Sequence, residues 1–376
     1  MAYRSLLALG ALDAAGYSLI VPVIPEIAGA TGAGPATIGL LVATFPAGMI
    51  AGFWLAGRAV TRHGVRPVML AALSLIALGS LGFVVAESLP VYFAARLVMG
   101  LGSAGLWLGV TFDTLARWPG QEYECMSRVL AAYSIGGLAG PALGAVGGVA
   151  LPFTLYLALV LVAFALVLAL ERPAGAATFA PDRAALRSRG FRVAAFAAMF
   201  AYLVLGLMEG ALPLHLAEHL SQAEIGALYV GLALIVAAGA AAAGSRRPRS
   251  MVRASVVLAV TGIAVAGAVS SVPLWIPALG LAALGVGVGA TGALGLLVEA
   301  VDVGRIVTAM VVFSQAGIAG YLLGPLTGGA AAETLGYAAL ALVPAAFGGA
   351  VLAAMTAGPT PIQASTSGQV RPARRS

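Results

Sequence analysis

Charge is what this chain has least of. Asp, Glu, Lys and Arg make up 9% of its 376 residues, where a soluble domain carries roughly a quarter. Lysine is absent, and all 20 basic side chains are arginine, a compositional bias with no mechanistic weight. The single cysteine, Cys125, excludes an intrachain disulfide and a thiolate metal cluster. No convincing cleavage site follows the N-terminus, so the first apolar stretch reads as a retained helix and not a removed leader. Glycine is plentiful but has no three-residue period, which excludes collagen. A membrane-embedded enzyme would need a convergent catalytic group. The apolar runs offer no paired carboxylate dyad and no plausible triad.

What is present is hydrocarbon-compatible. Hydrophobic residues reach 61%, and the mean hydropathy is +1.02. A spanning helix needs about 20 mostly apolar residues. Cutting at charges, prolines and Gly/Ser clusters gives twelve such runs: 5–27, 36–57, 67–86, 89–116, 128–150, 152–171, 192–214, 222–244, 253–271, 273–298, 306–331 and 335–357. They are helices 1 to 12 below. The expected fold class is an all-α integral membrane protein with two pseudo-symmetric six-helix bundles. Its expected divisions are an N-terminal bundle (1–171), a linker (172–191), a C-terminal bundle (192–357) and a polar, disordered tail (358–376).

Arginine placement tests the cut independently. Arg58, Arg62 and Arg66 fall between helices 2 and 3, and Arg117 and Arg128 between helices 4 and 5. Arg172, Arg183, Arg187, Arg189 and Arg192 fall in the central loop, and Arg246, Arg247, Arg249 and Arg253 between helices 8 and 9. The alternate loops carry acids instead, among them Glu26, Glu87, Glu218, Glu224 and Glu333. A wrong helix count would scramble that alternation. By the positive-inside rule, both termini are expected in the cytoplasm and the protein in the inner (plasma) membrane. The net charge of +6 thus has a membrane explanation, and no nucleic-acid partner is expected.

The chain is also doubled. Gly136, Gly140, Pro141 and Gly144 recur as Gly320, Gly324, Pro325 and Gly328, an offset of 184. An offset of 187 pairs Ile38-Gly39 with Ile225-Gly226, and Gly100, Gly102 and Gly105 with Gly287, Gly289 and Gly292. Half-chain duplication of apolar units is a mark of membrane transporters. Proline removes a hydrogen bond and bends a helix, while flanking glycines permit close crossing. Helices 5 and 11 are therefore expected to be the bent elements where the halves meet.

On these motifs the chain resembles the major facilitator superfamily, and within it the twelve-helix drug:proton antiporters of the tetracycline- and multidrug-efflux type. Helix 1 carries Asp13 followed by Pro22-x-x-Pro25, helix 4 carries Arg96-x-x-x-Gly100-x-Gly102, and helix 5 carries the Gly-Pro motif. The resemblance implies a secondary transporter without a cofactor, exchanging protons for a small amphipathic molecule and functional as a monomer. The other transport reading is a sugar or metabolite carrier. Gly57, Arg62, Gly64 and Arg66 are similar to the family's gating loop. Thr61 replaces its usual Asp, which leaves Asp113 as the expected partner of Arg62 or Arg66.

Ionisable groups inside hydrocarbon are costly and mark candidate sites. Three stand out: Asp13, Arg96 and Glu209. Counting at 1.5 Å per residue places Asp13 and Arg96 within about 8 Å of each other in depth. Paired, Asp13 is expected to stay ionised; separated, desolvation favours proton uptake. Such an exchange would couple conformation to protons, whereas a static ion pair would only fix packing. Glu209, Tyr17, Trp107 and Gln315 are the expected cavity residues.

Three matches are set aside. The Gly100-x-Gly102-x-x-Gly105 and Gly287-x-Gly289-x-x-Gly292 runs fit a dinucleotide fingerprint but lack its strand–turn–helix setting. His215-x-x-Glu218-His219 fits an inverted zinc-protease pattern with no evident third ligand. No metal site is expected.

Overall fold

A computed structural model describes residues 2–118, 120–171, 187–244, 246–301 and 306–356. Twelve helical spans follow one another in chain order. The first half holds helix 1 (Ala2–Thr31), helix 2 (Pro35–His63), helix 3 (Val65–Val85), helix 4 (Leu89–Arg117), helix 5 (Glu122–Gly144) and helix 6 (Ala150–Ala169). The second holds helix 7 (Arg189–Leu216), helix 8 (Gln222–Ala243), helix 9 (Pro248–Ala268), helix 10 (Val272–Ala300), helix 11 (Ile306–Leu335) and helix 12 (Tyr337–Thr356). Among the described residues eleven of these are long and apolar enough to cross a membrane. Helix 5, at 23 residues, is long enough but diluted by Gly, Ser and charge in its first turns. The expected all-α class is borne out.

Helix ends differ from the apolar runs where arginines sit. Helix 2 runs on to His63 and helix 3 starts at Val65, so the expected gating loop shrinks to Gly64. Its φ of +83° lies where only glycine is comfortable. Gly57, Arg58 and Arg62 are therefore helical, because long basic side chains reach water from beyond the apolar core. Helix 7 likewise begins at Arg189, capped by Ser188, and helix 9 at Pro248. Most of the expected linker and all of the expected tail lie outside the described residues.

The two halves pack alike. In the first, helix 1 lies on helix 5, helix 4 packs on helices 2 and 3, and helix 3 meets helix 6. In the second, the same positions pair helix 7 with 11, helix 10 with 8 and 9, and helix 9 with 12. The Gly100 and Gly287 triplets explain themselves here. A methyl on Gly100 would lie 2.1 Å from the Phe45 carbonyl oxygen of helix 2, and one on Gly287 the same distance from that of Val236 on helix 8. They are crossing points between helices, where small residues give van der Waals contact that hydrophobicity cannot supply in lipid.

Helices 1 and 7 share a further feature, a break near the end that carries the acidic loops. Helix 1 is α-helical over Ala2–Ser18, turns through a 3-10 segment at Val21–Val23, and resumes at Ile24–Thr31. Pro22 and Pro25 withhold the N–H groups that would have continued it. Helix 7 breaks at Ala211, ahead of Pro213. At this acid end the halves meet, helix 2 along helix 11 and helix 5 along helix 8. Apolar side chains such as Trp54, Leu78, Leu161 and Val162 face outward, as a lipid-facing surface requires.

Candidate functional site at the junction of the halves

Asp13 is 2% exposed on helix 1. Neither of its carboxylate oxygens has a hydrogen-bond partner. Ser103 of helix 4 faces it but falls short of hydrogen-bond geometry, and its own hydroxyl is buried and unpaired. Tyr133 of helix 5 and Tyr156 of helix 6 stand within electrostatic range. Tyr156 donates to the Leu12 carbonyl at 3.2 Å. Trp107 meets the Tyr133 ring edge-on at 5.0 Å, which draws it to the same side of the junction.

Arg96 is wholly buried and does not pair with Asp13. Its guanidinium donates to the carbonyl of Tyr17 at 2.9 Å and to that of Gly16 at 3.5 Å. It also lies 4.4 Å over the Phe45 ring. The break in helix 1 is the reason. Carbonyls in the last turn of a helix have no N–H returning to them, and they carry the negative end of its dipole. A cation at that point satisfies both.

From Arg96 a chain of polar contacts crosses to the other half. The Tyr17 ring lies 4.6 Å from that of Tyr321 on helix 11. The Tyr321 hydroxyl donates to Glu209 Oε2 at 2.6 Å. Glu209, 7% exposed on helix 7, is within electrostatic range of Arg96. Expected as a cavity residue, Glu209 stands at the junction itself, in the last turn of the Arg189–Gly210 segment of helix 7, where Tyr321 links it to Tyr17 of the first half. Tyr321 was not among the expected residues, although a hydroxyl next to Gly320 in a membrane span is a signal that could have found it. Gln315 lies half-buried on helix 11, six residues before Tyr321.

The gating residues at the arginine end arrange themselves differently from expectation. Asp113 pairs with Arg117, Nε to Oδ2 at 2.5 Å, and not with Arg62 or Arg66. One helical turn separates Asp113 from Arg117, which makes that pair local and cheap to order. Arg66 donates to the Leu168 carbonyl and Arg117 to that of Glu171, so both basic groups grip the end of helix 6. Arg62 is exposed.

The two Gly-Pro motifs present two faces. Gly136, Gly140 and Gly144 seat helix 5 on helix 1, where added methyls would lie 1.9, 2.6 and 2.2 Å from the carbonyl oxygens of Ala11, Ala15 and Leu19. Gly320 and Gly324 seat helix 11 on helix 7 against Met199 and Leu203, and Gly328 meets the Leu207 side chain. The proline carbonyls face the other half, Pro141 toward Gly226 and Pro325 toward Gly39. At His215, Nδ1 lies 3.4 Å from Glu218 and the ring stacks on Tyr337. Among the described residues no group of three His, Cys, Asp or Glu side chains is placed to hold a metal.

Two repeated six-helix bundles that enclose buried charges at their junction define a membrane carrier. The chain belongs to the Major Facilitator Superfamily, whose family model matches residues 6–245. It is a multi-pass membrane transporter and not an enzyme. In sequence, 134 residues are 29% identical to Multidrug resistance protein 2 of Bacillus subtilis (strain 168), a match spanning 34% of this chain and 32% of that protein. In structure, it is similar to a bacterial homolog of the human lysosomal transporter Spinster, inward-facing and unoccupied, with a TM-score of 0.75 at 16% identity over 94% of this chain and 90% of that one. It is also similar to the human organic anion transporter MFSD10 (TM-score 0.68, 17% identity, 94% and 98% covered). A third likeness is to the nucleoside transporter NupG (TM-score 0.73, 12% identity, 94% and 99% covered). At these identities the structural likeness establishes the fold.

Proposed function

We propose that the protein is a proton-coupled exporter, exchanging protons for a small amphipathic molecule by alternating access across the inner membrane. The arginine end is cytoplasmic in this reading, so closure at the acid end corresponds to an inward-facing carrier. The observation that carries the reading is the separation of Asp13 from Arg96. Asp13 is a buried carboxylate with no partner, and the only cation expected beside it is spent on the helix 1 backbone and on the path to Glu209.

A carboxyl that gains or loses a cationic neighbour changes its hold on a proton. Motion of helix 1 against helix 4 would bring Arg96 to Asp13 or withdraw it. The proton and the substrate then bias the same two-state equilibrium in opposite directions, which is what exchange requires. Tyr17, Tyr321 and Glu209 tie that motion to the other half, and Glu209 supplies negative charge where an amphipathic cation would pass. The weak sequence likeness to a multidrug resistance protein supports efflux over uptake.

The test is exchange in proteoliposomes. An imposed proton gradient should drive accumulation of a substrate found by a susceptibility panel in an efflux-deficient host. Asp13→Asn, at normal expression, should abolish gradient-driven transport, and retained exchange in that variant would refute the reading.

A further inference from the structure

Among the described residues two polar contacts join the halves at the acid end, and each sits over a crossing that the duplication relates to the other. At the first, helix 2 begins at Pro35, and its Ala36 N–H is one of the orphan donors of a helix start. Glu333, near the end of helix 11, accepts from it through Oε2 at 2.8 Å. At the second, Gln222 opens helix 8. Its Nε2 donates to the Gly144 and Gly148 carbonyls at 2.7 and 3.0 Å, and its Oε1 accepts from the Gly148 N–H at 2.8 Å. The turn after helix 5 wraps around that amide, with Gly147 and Gly148 at φ +30° and +69°.

Beneath each contact lies a glycine crossing. A methyl on Gly39 would stand 2.2 Å from the Pro325 carbonyl oxygen, and one on Gly226 would stand 2.9 Å from that of Pro141. These are the same pair of positions in the two repeats, so the molecule closes at two symmetry-related seams. The polar groups on them are not repeats of each other: one is a carboxylate from helix 11, the other an amide from helix 8.

We propose that Gln222 and Glu333 are paired bolts that hold the acid end shut and set the fraction of carriers closed there. Neither contact serves the helix that bears it. The adjoining residues show what a local role looks like: Ser221 and Glu224 form a reciprocal capping box on helix 8, which leaves Gln222 free to spend all three hydrogen bonds on the other half. All four bonds must break for the seams to part. Both side chains are reachable by water, Gln222 half-buried and Glu333 exposed, so the opened state can satisfy them by hydration. That makes the bolts reversible. The inference goes beyond the proposed exchange and depends on no particular substrate or ion.

The experiment uses the full chain with Cys125→Ser, spin-labelled at Ala30→Cys and His219→Cys, exposed sites at the acid end of helix 1 and in the turn that follows helix 7. Distances are measured by pulsed electron resonance in nanodiscs, without substrate or proton gradient. The parent should give one short distance. Gln222→Ala and Glu333→Ala should each add a longer one, raising the open-to-closed ratio about tenfold, with a larger rise in the double variant. Glu333→Gln, which keeps an acceptor, should fall between parent and alanine. Unchanged distances in both alanine variants would overturn the proposal, and a shift in only one would overturn the pairing. Because no transport is measured, loss of proton exchange leaves this result standing.

Discussion

Arg96 donates to the backbone carbonyl of Tyr17 at 2.9 Å, and the carboxylate of Asp13, one turn earlier in helix 1, is left without a partner. The cation caps the break in helix 1 and the acid waits beside it. Replacing Arg96 by Lys keeps the charge but presents a point donor where a planar fork now reaches two carbonyls and stacks on Phe45. Arg96→Lys should therefore fold and insert but exchange at least tenfold more slowly, measured in proteoliposomes against Arg96→Ala. Equal rates for Arg96→Lys and the parent would mean the fork geometry is immaterial.

The Tyr321 hydroxyl of helix 11 donates to Glu209 of helix 7, both in the second half, beside the contact of Tyr321 with Tyr17 across the junction. Tyr321→Phe leaves a buried carboxylate short of a hydrogen bond, at a cost of about 1–3 kcal/mol. The expected outcome is a lower melting temperature and weaker transport. Adding Glu209→Gln should recover part of the lost stability, because the neutral amide tolerates the missing donor better. If the double variant melts at the sum of the two single losses, the pair is not coupled.

Adjacent glycines in helix 5 offer a control within one turn. A methyl on Gly136 would lie 1.9 Å from the Ala11 carbonyl oxygen, whereas one on Gly137 would meet nothing within 4 Å. Gly136→Ala should destabilise the first half by about 1–3 kcal/mol through overpacking, and Gly137→Ala should be neutral. Thermal unfolding of the purified variants decides this, and similar melting of both would show that the helix 1–helix 5 seam yields easily.

At the arginine end, Asp113 is 3% exposed and relies on Arg117. Arg117→Ala strands that carboxylate and should cost about 3 kcal/mol, since breaking a buried pair exceeds the pair's own worth. Asp113→Asn together with Arg117→Ala should cost less than Arg117→Ala alone. Arg62→Ala, which alters an exposed side chain, should be near neutral. A double-mutant cycle read by chemical denaturation checks all three.

Much of the architecture was legible because the bilayer restricts the possibilities. Apolar runs of fixed length, arginines in alternate loops and a half-chain offset each constrain the same helix count, and the structure agrees with them. The pairing of buried charges was not legible. Depth counting brought Asp13 and Arg96 together, yet which groups a side chain touches depends on helix rotation and on where backbone carbonyls are left open. The proline break in helix 1 creates such carbonyls, and they outcompete Asp13 for Arg96 in this conformation. Arg117 similarly outcompetes Arg62 and Arg66 for Asp113, being on the same helix face. Glu209 was visible as an intramembrane acid, but its partner there is Tyr321, from a helix more than a hundred residues away.

The exchange reading rests most directly on whether Asp13 carries the coupled proton. The decisive measurement is proton movement in substrate-loaded proteoliposomes, followed with an entrapped pH indicator, for the parent and Asp13→Asn at matched insertion. The expected result is a substrate-dependent proton flux in the parent and none in Asp13→Asn, with substrate binding retained. A proton flux in Asp13→Asn equal to the parent's would contradict it.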